Sequence, residues 1–120
     1  DLSHGPCAFK RIKGCGVGIE YIAVTPDGDI YPCHQFVGEP EYRMGNVHDQ
    51  PIQIDPAVQQ PFYSLLVPDK AECSQCWAKY FCSGGCAANS LHVNGHVNGV
   101  DPISCQLQKK RLECALWLKT

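Results

Sequence analysis

The chain has 120 residues, of which 44% are apolar and 18% are charged, and its formal net charge at pH 7 is −2. This length suits one domain with a modest core, and the composition is typical of a globular protein and excludes a disordered one. The basic residues form only two short clusters and no apolar run is long enough for a membrane span, so neither nucleic acid nor membrane is expected as a partner.

Residues 1–15 are predicted to form an irregular basic lead-in. They contain neither the basic n-region nor the apolar h-region of a secretory signal, so a cytoplasmic location is expected. An initiator Met is also missing, which suggests that the chain is a piece of a longer protein.

A β-hairpin is predicted from about residue 19 to residue 32. Its two arms are rich in β-branched and aromatic residues, and Thr25-Pro-Asp-Gly28 lies between them. That segment indicates a turn, because Pro fixes φ and Gly accepts a positive φ. Residues 37–53 are predicted to be loop, with a short extended piece over residues 42–47.

A short helix is predicted to begin at Asp55-Pro56, where an Asp N-cap precedes a Pro at the first helical position. It should run to about Leu66, with Pro61 as an interruption. The cysteine-rich segment that follows is predicted to be loop and broken helical turns. Residues 91–100, which contain the tandem His-Val-Asn-Gly-His-Val-Asn-Gly, are predicted to be a polar loop or hairpin.

The strongest helix signal is at the C-terminal end, where Asp101-Pro102 repeats the N-cap pattern. This helix is predicted from about residue 103 to residue 119. Its buried stripe should carry Leu107, Cys114, Ala115 and Leu118. Together these elements predict one small, irregular α+β domain over residues 1–120, with an N-terminal β-hairpin and a C-terminal helix.

Nine cysteines are the most unusual feature of the chain, and the segment from Cys73 to Cys86 spaces four of them as C-x2-C-x5-C-x3-C. Disulfides, zinc and iron–sulfur clusters are the three explanations. A disulfide framework is typical of an even number of cysteines in a secreted chain, whereas the number here is odd and no export signal is visible. Metal binding is therefore a better explanation for these thiols than disulfide formation.

Zinc in structural sites commonly uses two C-x2-C knuckles, and this chain has one, formed by Cys73 and Cys76. His92 and His96 could join a zinc site at helical spacing, but Gly95 between them argues against a helix. They are better explained as polar loop residues. A zinc-binding interaction module remains the alternative from a different class, and a disulfide-stapled extracellular domain is the third.

A [4Fe–4S] cluster takes four thiolates, and several other residues suit it. Glycines at positions 16, 18, 84 and 85 would let backbone N–H groups approach cluster sulfurs. Cys105 should lie in the first turn of the last helix, where the helix dipole favours an anion. An oxidised four-thiolate cluster carries about −2. Basic residues near the other ligands in sequence could balance this charge: Lys10, Arg11, Lys13, Lys70 and Lys79.

The complete cysteine pattern resembles the seven-cysteine motif of SPASM domains, the auxiliary-cluster domains of many radical S-adenosylmethionine (SAM) enzymes. Cys15 and Cys33 form C-x12-G-x4-C. The tight cysteine group, from Cys73 to Cys86, follows after a gap, and Cys105 comes after a further gap. All seven positions are filled: Cys15, Cys33, Cys73, Cys76, Cys82, Cys86 and Cys105. The surrounding sequence is similar to maturases that build thioether crosslinks in small Cys-rich peptides, the SCIFF type, in five stretches: residues 9–16, 31–38, 76–79, 82–90 and 109–117.

The resemblance implies two [4Fe–4S] clusters with interleaved ligands. Auxiliary cluster II would take Cys73, Cys76, Cys82 and Cys105. Auxiliary cluster I would take Cys15, Cys33 and Cys86, and Cys7 is the candidate for its fourth ligand. If Cys7 is free instead, an open iron would be left for a substrate thiolate.

The resemblance also implies that the chain is the C-terminal part of a larger enzyme. The C-x3-C-x2-C loop that holds the SAM-cleaving cluster is missing, because Cys82-x3-Cys86 is followed by Asn89 rather than by a cysteine. SAM would bind only to the parent enzyme, and this chain alone is predicted not to be catalytic. The implied partners are the radical SAM core of the same polypeptide, a Cys-rich precursor peptide and an electron-transfer protein.

The chemistry of such enzymes starts when a 5′-deoxyadenosyl radical takes a hydrogen atom from a peptide residue. A Cys sulfur of the same peptide then bonds to that carbon, and one electron leaves. Auxiliary cluster I would position the thiolate or accept the electron, and auxiliary cluster II would pass it on. Another SPASM peptide or protein maturase is the runner-up, although His34 stands where sulfatase-maturing members have an Asp, which counts against that activity.

Overall fold

The computed structural model describes residues 7–120, with every side chain in that range except those of Ala8 and Lys10. The chain divides into two compact units. The sheet unit is Cys15–Ser64, and the helical unit combines the chain up to Gly14 with Leu65–Thr120. Helices together with a small antiparallel sheet agree with the predicted α+β class.

The sheet unit contains a three-stranded antiparallel sheet in the order β1-β2-β3. Strand β1 is Ala23–Val24, β2 is Asp29–Tyr31 and β3 is Gly45–Asn46. The predicted hairpin is confirmed, with strands shorter than the 19–32 range. Its turn closes as expected, because the backbone N–H of Gly28 donates to the carbonyl of Thr25 at 2.9 Å and Gly28 has a φ of 86°.

Strand β3 falls within the predicted extended piece and adds to the edge of the hairpin. It pairs Asn46 with Asp29 and Gly45 with Ile30. Arg43 Nε and Asn46 Nδ2 both donate to Asp29 Oδ1, at 2.7 and 2.9 Å. These hydrogen bonds, Asn46 first and then Arg43, hold the pKa of Asp29 below its usual range. Polar side chains thus fix the strand register on the exposed side.

Aromatic packing forms the core of the sheet unit. Phe36 is fully buried, and its ring centroid lies 4.8 Å from that of Tyr42 and 5.6 Å from that of Phe62. Ile30 and Met44 are buried as well. Such rings contribute both a large apolar area and favourable edge-to-face contacts.

Helix α2, Pro56–Tyr63, supplies Phe62 to this core. The side chain of Asp55 accepts from the Ala57 N–H at 2.9 Å, as the predicted N-cap requires. The prediction that Pro61 interrupts the helix is wrong, since Pro61 lies inside it, and the helix ends three residues before the predicted Leu66. Pro61 loses a single backbone hydrogen bond near the end of a short helix, where little helix remains to be broken.

The helical unit contains the remaining helices of the described residues. Their bounds are α1 Ala8–Lys13, α3 Ala71–Ser74, α4 Lys79–Cys82, α5 Ala87–Asn94 and α6 Pro102–Trp117. The prediction of an irregular lead-in is wrong over α1, and residues 1–6 of that prediction lie outside the described range. Tertiary contact supports α1, because Arg11 Nη1 donates to the carbonyl of Phe81 at 3.1 Å in the neighbouring α4.

Two predictions about the later helices need correction. Residues 91–94 belong to α5 rather than to a polar loop, and Gly95 ends that helix with a φ of 77°. In α6 the predicted buried stripe is wrong, because Leu107, Cys114 and Leu118 are exposed. No residue of α6 is buried, so periodicity alone did not bury that face. None of the helices in this range is long and apolar enough to cross a membrane.

Candidate metal centre

The helical unit encloses a cavity of about 320 Å³ that is lined by cysteine side chains. Five of the nine cysteines of the chain face it: Cys73, Cys76, Cys82, Cys86 and Cys105. No disulfide joins any of the nine cysteines, all of which lie within residues 7–120. The tight cysteine group and the distant Cys105 are therefore brought to one place, as a shared metal site requires.

The first two thiols lie in and just after α3, because Cys73 belongs to this helix and Cys76 follows its last residue by two positions. The N–H groups of Cys73 and Ser74 donate to the carbonyl of Lys70, and the N–H of Cys76 donates to the carbonyl of Cys73 at 3.0 Å. This tight winding puts residues three apart on the same side of the chain. Cys73 is buried and Cys76 is half-buried, and both line the cavity.

A left-handed turn separates Cys82 from Cys86. Ser83, Gly84 and Gly85 have φ values of 64°, 81° and 78°. A side chain at Gly84 would meet Val67 Cγ2 at 3.1 Å, so glycine is needed there for close approach as well as for its backbone conformation. Because α4 ends at Cys82 and α5 begins just after Cys86, the two thiols lie at the ends of two different helices.

Cys105 lies in the first turn of α6, as predicted. Asp101 caps that turn: its carboxylate accepts from the Ile103 N–H at 3.0 Å and from the Ser104 hydroxyl at 2.5 Å. The hydrogen bond from Ser104, and then those from the backbone, lower the pKa of Asp101. The cap orients the helix start, where the dipole favours a thiolate at Cys105.

Lys70 is buried behind the cavity, with 3% of its surface exposed. Its Nζ donates to the carbonyls of Gly84 at 3.0 Å and Gly99 at 3.3 Å. Burial lowers the pKa of Lys70, and the neighbouring thiols, Cys73 first, oppose that change. Burial also raises the pKa of the Cys73 thiol, which Lys70 partly offsets. The two pKa changes have the same cause, because burial disfavours the charged form of each group. Iron would remove the proton from Cys73 on binding.

The donor set of the cavity fits an iron–sulfur cluster. Soft thiolate sulfurs are the ligands that such clusters take, and four of them bind four different irons around a [4Fe–4S] core. Within residues 7–120, no three Cys, His, Asp or Glu side chains stand close enough to hold a single metal ion. His92 and His96 are not among the residues that line the cavity, and Gly95 does break the helix between them, as predicted.

The other predicted ligands lie elsewhere in the chain. Cys15 is exposed and Cys33 is buried, and both belong to the sheet unit. Cys7 is exposed just before α1, and its carbonyl accepts from the Arg11 N–H at 3.0 Å. In the sheet unit, the Tyr21 hydroxyl lies 3.2 Å from Nδ1 of His34.

Ser90 was not predicted from the sequence as part of the site. This side chain is fully buried, accepts from the Gly99 N–H at 2.9 Å and donates to the His96 carbonyl at 2.7 Å. It thereby holds the loop that leads to Cys105. Nothing in the sequence singles out one serine in Ala87-Ala-Asn-Ser90, because its role depends on a loop nine residues away.

Comparison with known proteins agrees with this site. The model of the SPASM family, described as an iron–sulfur cluster-binding domain, matches residues 15–77, just over half of the chain and four of its seven motif cysteines. The serine-type anaerobic sulfatase-maturating enzyme of Klebsiella aerogenes is 34% identical over 98 residues, and the enzyme of that name from Klebsiella pneumoniae is 33% identical. In each case the match covers 80% of this chain and 22% of the relative. The chain belongs to the SPASM family of iron–sulfur cluster-binding domains.

Proposed function

We propose that this chain binds two [4Fe–4S] clusters as the auxiliary centres of a radical SAM maturase, as its C-terminal domain over residues 1–120. The observation that carries the proposal is the cavity of the helical unit, which brings the cysteine group from Cys73 to Cys86 together with the distant Cys105. Cys73, Cys76, Cys82 and Cys105 hold auxiliary cluster II in this proposal. Auxiliary cluster I takes the remaining motif cysteines together with Cys7: Cys7, Cys15, Cys33 and Cys86.

The position of Cys86 is compatible with this interleaving. It precedes α5, whereas Cys82 ends α4, and the left-handed turn between them lets the two thiols diverge. Cys86 also lines the cavity, so a single site with five candidate thiols is the competing arrangement. A short, rigid segment that carries ligands for two clusters would fix their separation.

The substrate in this proposal is a Cys-rich precursor peptide in the cytoplasm. Support comes from the similarity of the stretches around the motif to thioether-forming maturases. In the crosslinking reaction one C–H and one S–H bond of the peptide are replaced by a C–S bond. The hydrogen atom goes to the 5′-deoxyadenosyl radical made by the radical SAM core, the thiol proton goes to solvent, and one electron goes to an electron-transfer protein. When bound, the auxiliary clusters supply ligation for a substrate thiolate and a path for that electron.

Maturation of a sulfatase is the second candidate. It is favoured by the two relatives, whose names state this activity and which are 34% and 33% identical to the chain over 98 residues. His34 is the residue that distinguishes the candidates, since sulfatase-maturing members resemble this sequence but have an Asp there. Its ring is held by Tyr21 rather than by an acidic side chain in the described sheet unit.

Metal analysis of the anaerobically reconstituted chain tests the cluster proposal. We expect about 8 iron atoms per chain with matching acid-labile sulfide. Cys73→Ala should lower the iron content, while Cys114→Ala, an exposed cysteine outside both ligand sets, should leave it unchanged. Stoichiometric zinc without sulfide would contradict the proposal and support a zinc-binding interaction module.

The substrate test uses the full-length enzyme with two peptides. Thioether formation lowers the mass of a Cys-rich peptide by two hydrogen atoms. It also removes one thiol that iodoacetamide could otherwise alkylate. A sulfatase-derived peptide that carries the target serine and no cysteine serves as the comparison. Modification of the serine peptide alone would reject thioether crosslinking in favour of the second candidate.

A further inference from the structure

Among the charged side chains that the structure describes, Lys70 is the one that is almost completely buried. Its aliphatic stem packs beside Gly84, where an added Cβ would lie 3.8 Å from Lys70 Cδ. Two of its three N–H donors reach the carbonyls of Gly84 and Gly99. No carboxylate of the described residues forms an ion pair with it.

These hydrogen bonds join the segments that carry the thiols of the cavity. Lys70 lies three residues before Cys73 and accepts the first backbone hydrogen bonds of α3. Gly84 lies in the turn between Cys82 and Cys86, and Gly99 lies in the loop before α6. One ammonium group therefore ties together every segment that contributes a cysteine to the cavity.

Such a buried charge needs compensation. Moving an ammonium group out of water costs several kcal/mol in effective terms, and two carbonyl dipoles offset only part of that cost. An apolar side chain of similar length, such as Met, would fill the same space without the penalty. A positive charge at this place is favourable when an anion occupies the adjacent cavity.

We infer that Lys70 is a positioning residue and counter-charge for the cluster that Cys73, Cys76, Cys82 and Cys105 hold. This inference rests on the proposed function. The ammonium fixes the three cysteine-bearing segments through Gly84 and Gly99, and its charge lies against an anionic cluster. Reduction adds one negative charge to the cluster, so a fixed positive charge stabilises the reduced state and raises the midpoint potential.

Lys79 provides an internal comparison. It lines the cavity, and its Nζ donates to the Ser74 carbonyl at 2.6 Å and lies 5.3 Å from the Tyr80 ring centroid. It is only half-buried, so solvent screens its charge more strongly than that of Lys70. The two lysines have the same formal charge. Because Lys70 is more deeply buried, we expect it to have the larger effect on the midpoint potential of the cluster.

The test compares two Lys70 variants in the full reconstituted chain with Lys79→Met and with a control. Lys70→Met keeps the apolar stem and removes both charge and donors, whereas Lys70→Gln removes the charge and keeps an N–H donor. Lys110→Met is the matched control, because Lys110 is exposed on α6 and pairs only with Glu113 among the described residues. The measurements are iron content, circular dichroism of the apo-chain, and the midpoint potential from EPR-monitored redox titration.

We expect the potential of one cluster to fall in both Lys70 variants, to fall less in Lys79→Met and to stay unchanged in Lys110→Met. Iron content should be lower in Lys70→Met than in Lys70→Gln, because only the latter can still bind a carbonyl. An unchanged potential in cluster-loaded Lys70→Gln would overturn the counter-charge role. Loss of the folded apo-chain in both variants would overturn it as well, because Lys70 would then serve the fold and not the cluster. Absence of clusters from the unmodified chain would instead reject the proposed function, so the two failures are distinguishable.

Discussion

The buried hydroxyl of Ser90 in α5 accepts a hydrogen bond from the backbone N–H of Gly99 at 2.9 Å. A side chain at Gly99 would place its Cβ 3.1 Å from that hydroxyl and 2.8 Å from Nδ2 of Asn94. Asn94 also donates to the carbonyl of Val100 at 2.9 Å. This contact brings the end of α5 close to the start of α6, and so it sets where Cys105 enters the cavity.

Replacing Ser90 by Ala should destabilise the helical unit. The change leaves the buried N–H of Gly99 and the carbonyl of His96 without their partner, which costs about 1–3 kcal/mol. Urea unfolding of the apo-chain under reducing conditions measures the loss. Ser64→Ala, at an exposed position after α2, is the control and should be nearly neutral. Equal stability of the two variants would contradict a structural role for the Ser90 hydroxyl.

Asp101→Ala should loosen the first turn of α6 and lower the iron content, whereas Asp101→Asn should be milder because Asn also caps helices. The pKa of Asp101 is lowered in the folded chain, so the carboxylate stabilises the fold fully above the ordinary Asp pKa of 3.8. That contribution is lost as the pH falls through the lowered folded value. The stability difference between the wild-type apo-chain and Asp101→Ala should thus narrow in acid, and a constant difference would argue against the cap.

Single cysteine substitutions should separate the two ligand sets. Cys86→Ala is expected to disturb auxiliary cluster I and to leave auxiliary cluster II intact, because the second cluster loses none of its four thiolates. The double change Cys15→Ala with Cys33→Ala should disturb the same cluster as Cys86→Ala. Cys105→Ala should disturb the other one. EPR spectra of the reduced variants resolve which signal is lost.

An arrangement without interleaved ligands gives a different EPR result. If the tight cysteine group binds one cluster by itself, Cys86→Ala and Cys76→Ala will remove the same signal, and Cys105→Ala will remove another. Cys114→Ala should alter neither signal, since this thiol is exposed on α6 and is outside both sets.

The isolated chain should not convert SAM into 5′-deoxyadenosine, even with reduced clusters. The physical reason is the absence of a C-x3-C-x2-C loop from the 120 residues, because that loop would hold the cluster that cleaves SAM. Anaerobic incubation with dithionite followed by chromatography measures the product. The full-length enzyme is the positive control, and turnover by the chain alone would reject this prediction.

Local signals in the sequence were sufficient for several elements. The Thr25–Gly28 turn and the Asp-Pro helix starts at residues 55 and 101 depend on neighbouring residues only, and the structure confirms all three. Helix α1 was missed because its support is tertiary, from the Arg11 contact with Phe81. The buried stripe of α6 was wrong because periodicity states which residues share a face, and burial requires another segment to cover that face.

For the site, the sequence by itself determined the chemistry, because cysteine spacing and residue type specify soft thiolate ligands and the SPASM family. Only the tertiary structure decided which thiols share a cavity and which of the five nearby basic residues is buried behind it. Spacing along a chain cannot show that Lys70 reaches both Gly84 and Gly99, since those hydrogen bonds join segments 14 and 29 residues away. Ligand identity is a local property of side chains, whereas burial and long-range hydrogen bonds exist only once the chain has folded around them.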